Sequence, residues 1–126
     1  MEKIIAIALG GAIGSVGRYL ITLAAGEYHS QSFPIGTFLA NLFGCLLIGI
    51  FWSLFDRIHI SNEFRLFLFT GFLGGFTTFS TFARETVQLF KMGEHFQAFT
   101  YLAVSNFFGI AMVAVGFMLT HRFLRW

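Results

Sequence analysis

The sequence predicts an all-α integral membrane protein with four transmembrane helices. Of its 126 residues, 56% are apolar and only 11% are charged, and the mean hydropathy is +0.76. Soluble domains carry about a quarter charged residues, so this chain cannot keep a globular surface hydrated. Four apolar segments are each long enough to cross the hydrocarbon core of a bilayer, which takes about 20 helical residues. These two observations predict a multi-pass membrane protein.

The helices are predicted near residues 4–25, 33–55, 64–90 and 96–123, in a single transmembrane domain. Short polar loops at 26–32, 56–63 and 91–95 separate them and leave no room for a soluble domain. Nineteen phenylalanines against one proline agree with long apolar helices.

The basic residues favour one orientation of the chain. Only Lys91 lies clearly on the side opposite to the two termini. The basic residues on the side of the termini are Lys3, Arg57, Arg65, Arg122 and Arg125. Cytoplasmic loops carry the excess of Lys and Arg, so both termini are predicted in the cytoplasm. These residues are scattered and form no basic run, which predicts no nucleic-acid partner.

Small residues recur at helical spacing in the first two helices. The stripes are Gly10, Gly14 and Gly17 in the first helix and Gly36, Ala40 and Gly44 in the second. Such stripes let helix backbones approach closely in lipid, within the chain or between subunits. The alternative is that glycine is simply frequent in transmembrane helices. Four short helices are few to surround a polar pathway, which favours an oligomer.

A twelve-residue run, GFLGGFTTFSTF from Gly71 to Phe82, interrupts the apolar third segment. Glycines weaken a helix, and hydroxyl groups need partners in hydrocarbon. The run therefore predicts a helix that is broken between Gly74 and Thr77. Carbonyl groups released by the break could be satisfied by a bound Na⁺, by water or by neighbouring side chains.

Three further polar residues lie inside the predicted spans. Asn41 is either a donor that lines a pathway or part of an interhelical hydrogen bond, and Thr37 lies one turn before it. Arg18 requires a water-filled cavity, a partner or snorkelling to the interface. Glu85 is explained by an ion pair with Arg84, by an interfacial position or by a place in a vestibule.

Hydroxyl and aromatic side chains alternate along the third segment, where Ser80 and Thr81 lie between Phe79 and Phe82. Phenylalanine ring edges carry partial positive charge, and an apolar packing stripe would not need the hydroxyl groups. The competing interpretation is that the rings simply pack against lipid or a neighbouring helix.

In the fourth segment Tyr101 and Ser105 share a helix face. Their hydroxyl groups could donate to an anion or could bond to backbone carbonyls one turn earlier. Neutral donors and ring edges, with no carboxylate in the middle of a span, suit a small anion better than a cation. No arrangement of a nucleophile and a base is present, so the chain is predicted not to be an enzyme and to need no organic cofactor.

These motifs resemble those of the Fluc/CrcB fluoride channels. The run from Gly71 to Phe82, followed by Glu85, resembles the third-helix signature of that family. Two shorter patterns also match, GGxxGxxxRY starting at Gly10 and GTxxxNxxG starting at Gly36. Order, spacing and length agree across essentially the whole chain.

The resemblance implies a multi-pass channel of the bacterial inner membrane, which lets fluoride leave the cytoplasm passively and so lowers its toxicity. It implies an antiparallel, dual-topology homodimer with two pores, which rests on the resemblance and not on the loop charges, since those favour a single orientation. It also implies a structural Na⁺ that is not transported, held by the backbone carbonyls of Gly74 and Thr77. The fluoride pore would be formed by Asn41, Phe79, Ser80, Thr81, Phe82, Tyr101 and Ser105. Arg18 and Glu85 are vestibule or structural residues on this view.

Two other classes of protein fit the length and the four spans. A proton-coupled small multidrug transporter would need a carboxylate in the middle of the membrane, and the first span contains Arg18 but no such acid. A structural subunit of a larger complex would not need hydroxyl and aromatic residues concentrated at one broken helix.

Overall fold

The computed structural model describes residues 1–28 and 33–124, and within these ranges all regular structure is helical. Four segments are long and apolar enough to cross a membrane, which confirms the predicted number of spans. The first two are continuous helices, the third consists of two helices in line, and the last is continuous again. We label them α1 (Glu2–Tyr28), α2 (Ile35–Phe55), α3 (Asn62–Arg65, Leu66–Leu73 and Gly74–Phe76), α4 (Phe79–Lys91) and α5 (His95–Phe123).

The ends of the helices differ by a few residues from the predicted ranges. The first helix begins at Glu2, and α2 begins at Ile35, directly after Pro34. Most of the predicted loop at 26–32 and the basic residue Arg125 lie outside the described residues. Between α4 and α5, Gly93 adopts a φ of 78°, the left-handed conformation that commonly ends a helix.

The middle of α3 has a feature that the sequence did not predict. Leu66–Leu73 forms a π-helix, in which the backbone bonds reach one residue further than in an α-helix. The α-helical geometry returns at Gly74–Phe76, and α3 ends there. The π-helix therefore occupies the segment just before the break.

The break itself is confirmed, but the glycine pair does not unwind. Gly74 is helical, with φ −62° and ψ −38°, whereas Thr77 and Thr78 are extended. The neighbourhood of Gly75 explains this position, because the backbone of α1 leaves no space for a side chain there. The β-branched threonines favour extended backbone, so the chain leaves the helix at the first residues that packing allows.

The glycine stripe of α1 packs within the chain. A Cβ atom on Gly10 would overlap the carbonyl oxygen of Phe67, and one on Gly14 would overlap that of Phe72. Both carbonyls belong to α3, so α1 and α3 are in backbone contact. The two backbones pack directly against each other, with no side chains between them. Small residues commonly allow such close packing of helices in membranes.

The second helix, α2, also packs closely through glycines, against α5 on one side and α1 on the other. Gly49 of α2 lies against Gly116 of α5, and Gly36 lies against Thr22 of α1. The face of α2 between these contacts carries Ala40 and Gly44, both buried. This face is directed at the break between α3 and α4, because the methyl group of Thr77 occupies the space where a side chain at Gly44 would lie.

Candidate functional site: a polar cleft at the helix break

The side chain of Asn41 holds the break open. Its Oδ1 accepts the backbone N–H of Thr78 at 2.8 Å, and its Nδ2 donates to the carbonyl of Thr78 at 3.2 Å. In a continuous helix the N–H of Thr78 would bond to the carbonyl four residues earlier, that of Gly74. The carboxamide thus replaces a lost helical bond, and Asn41 makes the interhelical hydrogen bond that was one of its two predicted roles.

The hydroxyl group of Thr78 starts the next helix. Its Oγ1 accepts the backbone N–H of Thr81 at 3.2 Å, which is the usual N-cap arrangement. The hydroxyl of Thr78 also donates to that of Thr81 at 3.1 Å and lies 3.4 Å from that of Ser80. Ser80 and Thr81 therefore form a hydroxyl cluster with Thr78 at the N-terminus of α4.

The last carbonyl groups of α3 lose their helical partners at the break. Arg18 satisfies one of them, because its Nε donates to the carbonyl of Gly75 at 3.1 Å. Of the explanations considered for this arginine, the structure shows a partner, and the side chain points to the protein interior. The carbonyl of Leu73 accepts both the N–H and the hydroxyl of Thr77, at 3.0 and 2.8 Å.

A cleft of about 400 Å³ opens beside the break. It brings together six of the residues singled out in the sequence, namely Asn41, Gly74, Thr77, Phe79, Phe82 and Ser105. Thr78, Cys45 and Asn106 also line it, with apolar side chains of α2 and α3. No carboxylate is among its lining residues, so its polar groups are amides, hydroxyls and backbone.

The two predicted ring-edge residues differ in burial. Phe82 is 7% exposed and Phe79 is 79% exposed, and their ring centroids lie 5.7 Å apart. Phe82 packs inward against Tyr101, with centroids 4.9 Å apart in an edge-to-face arrangement. Phe79 stands at the rim of the cleft, where one chain alone leaves most of its ring uncovered.

Tyr101 and Ser105 lie on α5 and differ in their relation to the cleft. The Tyr101 ring is fully buried, and its hydroxyl and that of Ser105 have no hydrogen-bond partner among the described residues. Ser105 lines the cleft and Tyr101 does not. Neither hydroxyl makes the bond to a backbone carbonyl that was the alternative to an anion-donating role.

Glu85 is bound to a second helix. Its Oε1 accepts the hydroxyl of Thr37 at 2.5 Å, and its Oε2 is buried without a hydrogen-bond partner among the described residues. Arg84, its neighbour in the sequence, donates to Gln88 at 3.0 Å. Glu85 therefore pairs with a threonine of α2 one turn before Asn41, close behind the cleft.

Among the polar lining residues, Asn106 and Thr78 were not singled out as candidates, and neither was the thiol of Cys45. Asn106 follows Ser105 directly and therefore lies about 100° further round the helix, but the cleft is wide enough to include both. Thr78 lies in the twelve-residue run. Threonine is a favoured N-cap residue, and its position three residues before Thr81 is the signal from which its capping role could have been predicted. Among the described residues, no group of three His, Cys, Asp or Glu side chains could hold a metal ion.

Comparison with known proteins adds an independent line of evidence. A family model described as CrcB-like protein, Camphor Resistance (CrcB), matches residues 5–117. A Desulfotalea psychrophila protein named fluoride-specific ion channel FluC is 60% identical over 121 residues, which cover 96% of this chain and 94% of that protein.

Two further relatives carry the same name. One is from Phocaeicola vulgatus and is 48% identical over 116 residues, covering 92% of this chain and 96% of the relative. The other is from Flavobacterium psychrophilum and is 42% identical over 120 residues, covering 94% and 97% respectively.

Proposed function

The chain belongs to the CrcB-like family, and we propose that it is a fluoride-selective ion channel that exports fluoride passively from the cytoplasm and so lowers its toxicity. The observation that carries this proposal is the cleft at the helix break, in which neutral donors and phenylalanine rings meet without a carboxylate. Similarity to proteins named as fluoride channels over nearly the whole chain supports the choice of ion. The names of these relatives also agree with the expectation that the chain is a channel and not an enzyme.

The chemistry of the lining suits a small anion. An ion that enters a narrow site must exchange each lost water for a donor of the protein. Asn41 has a second amide hydrogen beyond the one on Thr78, and Ser105 has an unpartnered hydroxyl. The edges of Phe79 and Phe82 offer partial positive charge. In this proposal Ser80 and Thr81 lie beside the pore, and Tyr101 extends the polar surface beyond Ser105.

We further propose a structural Na⁺ at the break, held by the backbone carbonyls of Gly74 and Thr77. Both residues line the cleft, and both carbonyls lie in the stretch that loses its helical partners. Arg18 already occupies the carbonyl between them in sequence, that of Gly75. Oxygen ligands of this kind suit a hard cation. Thermal stability of the purified protein should be higher in NaCl than in choline chloride, because a bound ion stabilises the folded state.

The functional unit is proposed to be an antiparallel, dual-topology homodimer in the bacterial inner membrane. Phe79 supports a second copy because it lines the cleft and is nevertheless 79% exposed, so a partner could cover its ring. The mass of the protein in detergent, measured by light scattering, tests the dimer. Protease access to a C-terminal tag in sealed vesicles tests the orientation, because dual topology leaves about half of the tags protected.

Efflux from proteoliposomes tests the main proposal. Vesicles loaded with fluoride should release it rapidly, vesicles loaded with chloride should not, and a proton gradient should change neither rate. Proton dependence would instead indicate the small multidrug transporter class, which no observation favours. The absence of fluoride efflux from folded, Na⁺-containing protein would refute the channel.

The ring-edge role has a test of its own. Phe79→Ile and Phe82→Ile keep apolar bulk but remove the positive edge, and each should slow fluoride efflux at least about tenfold, the equivalent of 1.4 kcal/mol. Phe96→Ile is the matched control, because Phe96 is 84% exposed at the start of α5 and does not line the cleft. Equal rates in all three variants would exclude ring edges from the pathway.

A further inference from the structure

The cleft contains a second asparagine that the proposed pathway does not use. Asn106 lies on α5 and lines the cleft next to Ser105. Its Nδ2 donates to the carbonyl of Leu102, one turn earlier, at 2.8 Å. A carboxamide nitrogen carries two hydrogens, and this backbone bond uses one of them.

Asn41 on α2 has the same arrangement. One hydrogen of its Nδ2 is used by the backbone carbonyl of Thr78, and the other has no partner among the described residues. Each of the two asparagines therefore has its nitrogen fixed by a backbone carbonyl and one N–H left over. Because α2 and α5 pack against each other through Gly49 and Gly116, the two amides belong to adjoining walls of one cleft.

We infer that Asn106 is an anion-binding residue, which shares with Asn41 a site made of two amide N–H donors and supplemented by the hydroxyl of Ser105. This inference rests on the proposed channel function. Two neutral donors on separate helices can replace part of the hydration of a small anion without a fixed positive charge that would hold it too long. The two N–H groups themselves favour an anion over a cation, whereas the carbonyls of Gly74 and Thr77, proposed for Na⁺, are separate oxygen ligands of the same cleft.

Three substitutions of Asn106 separate binding from packing. Asn106→Leu has nearly the same shape and no donor, Asn106→Gln keeps a carboxamide with two N–H donors, and Asn106→Asp has the same shape with a negative charge. The bond to Leu102 lies within one helix and is exposed, so all three should fold. Asn62→Asp is the matched control, because Asn62 is exposed in the first turn of α3 and does not line the cleft.

The measurement is the initial rate of fluoride efflux from proteoliposomes at increasing fluoride concentration. Losing one donor to an anion should raise the half-saturating concentration of the Leu variant by roughly tenfold or more. The Gln variant should recover most of the wild-type value, the Asp variant should be the weakest, and the Asn62 control should match wild type.

Two outcomes overturn the inference. A Leu variant with the wild-type half-saturating concentration, in a preparation where wild type conducts, removes Asn106 from the site and leaves the channel function intact. A lower maximal rate with unchanged half-saturation and no recovery in the Gln variant assigns Asn106 a purely structural role. No efflux from wild type at all would instead refute the proposed function, and the inference with it.

Discussion

The bond pair between Asn41 and Thr78 should stabilise the folded protein measurably. Asn41→Ala removes hydrogen bonds of 2.8 and 3.2 Å and leaves the N–H and the carbonyl of Thr78 without their partner. A typical hydrogen bond contributes about 0.5–1.5 kcal/mol net, and interhelical bonds in membranes average about 0.6 kcal/mol. Two bonds lost together therefore predict a decrease of about 1–3 kcal/mol in the free energy of unfolding.

Reversible unfolding in mixed detergent and SDS measures this quantity. The fluorescence of Trp52 is a suitable probe, because its ring packs edge to face on Phe69 of α3, with centroids 5.3 Å apart. Asn106→Ala is the matched control, since it removes the same side chain but only one exposed bond within its own helix. We expect a change within about 0.5 kcal/mol for the control. An Asn41→Ala protein as stable as the control would refute the role of the amide in holding the break.

Two other substitutions test the packing and the polar contacts behind the cleft. Gly14→Ala should lower the free energy of unfolding by about 1–3 kcal/mol, because the new Cβ would overlap a backbone carbonyl that cannot move aside. Gly11→Ala is the control, since its Cβ would meet only an ordinary contact at 3.8 Å. Similar unfolding free energies for the two variants would contradict the backbone packing. Thr37→Val should lower the free energy of unfolding by about 1–3 kcal/mol, because it removes the hydroxyl that donates to the carboxylate of Glu85. Thr22→Val is the control and should lower it far less, since it breaks only an exposed hydrogen bond within α1. A reversed order in detergent unfolding would mean that the threonine–glutamate contact contributes nothing.

The number of spans was predictable because it depends on composition within short windows. Each apolar segment satisfies the length of a bilayer by itself, and no contact between helices is needed to recognise it. The existence of a break was predictable for a similar reason, since the run of glycines and hydroxyl residues is local. The same holds for the close packing of α1, whose glycine spacing appears directly in the sequence.

Which residues of this stretch leave the helix was not predictable in this way, although its approximate position was. Two glycines are the weakest helix formers in the run, yet Gly75 stays helical because α1 packs against it, and the chain opens at Thr78, where Asn41 supplies a substitute partner. The inward direction of Arg18 depends in turn on the carbonyl of Gly75. These outcomes are set by contacts between segments that are distant in the sequence, which local propensity cannot report.

The geometry of the break also fixes which atom of Asn41 faces the cleft. Its oxygen is held by the N–H of Thr78, and one of its N–H groups is held by the carbonyl of the same residue. A rotation of the amide by half a turn would place oxygen against carbonyl and nitrogen against N–H, and both bonds would be lost. The remaining hydrogen is therefore fixed in direction, and the oxygen cannot turn to take its place. A site built on this residue offers a donor before any ion arrives, which lowers the cost of ordering it on binding. One bond pair thus both stabilises a broken helix and determines that Asn41 presents an N–H donor, which favours an anion at this residue.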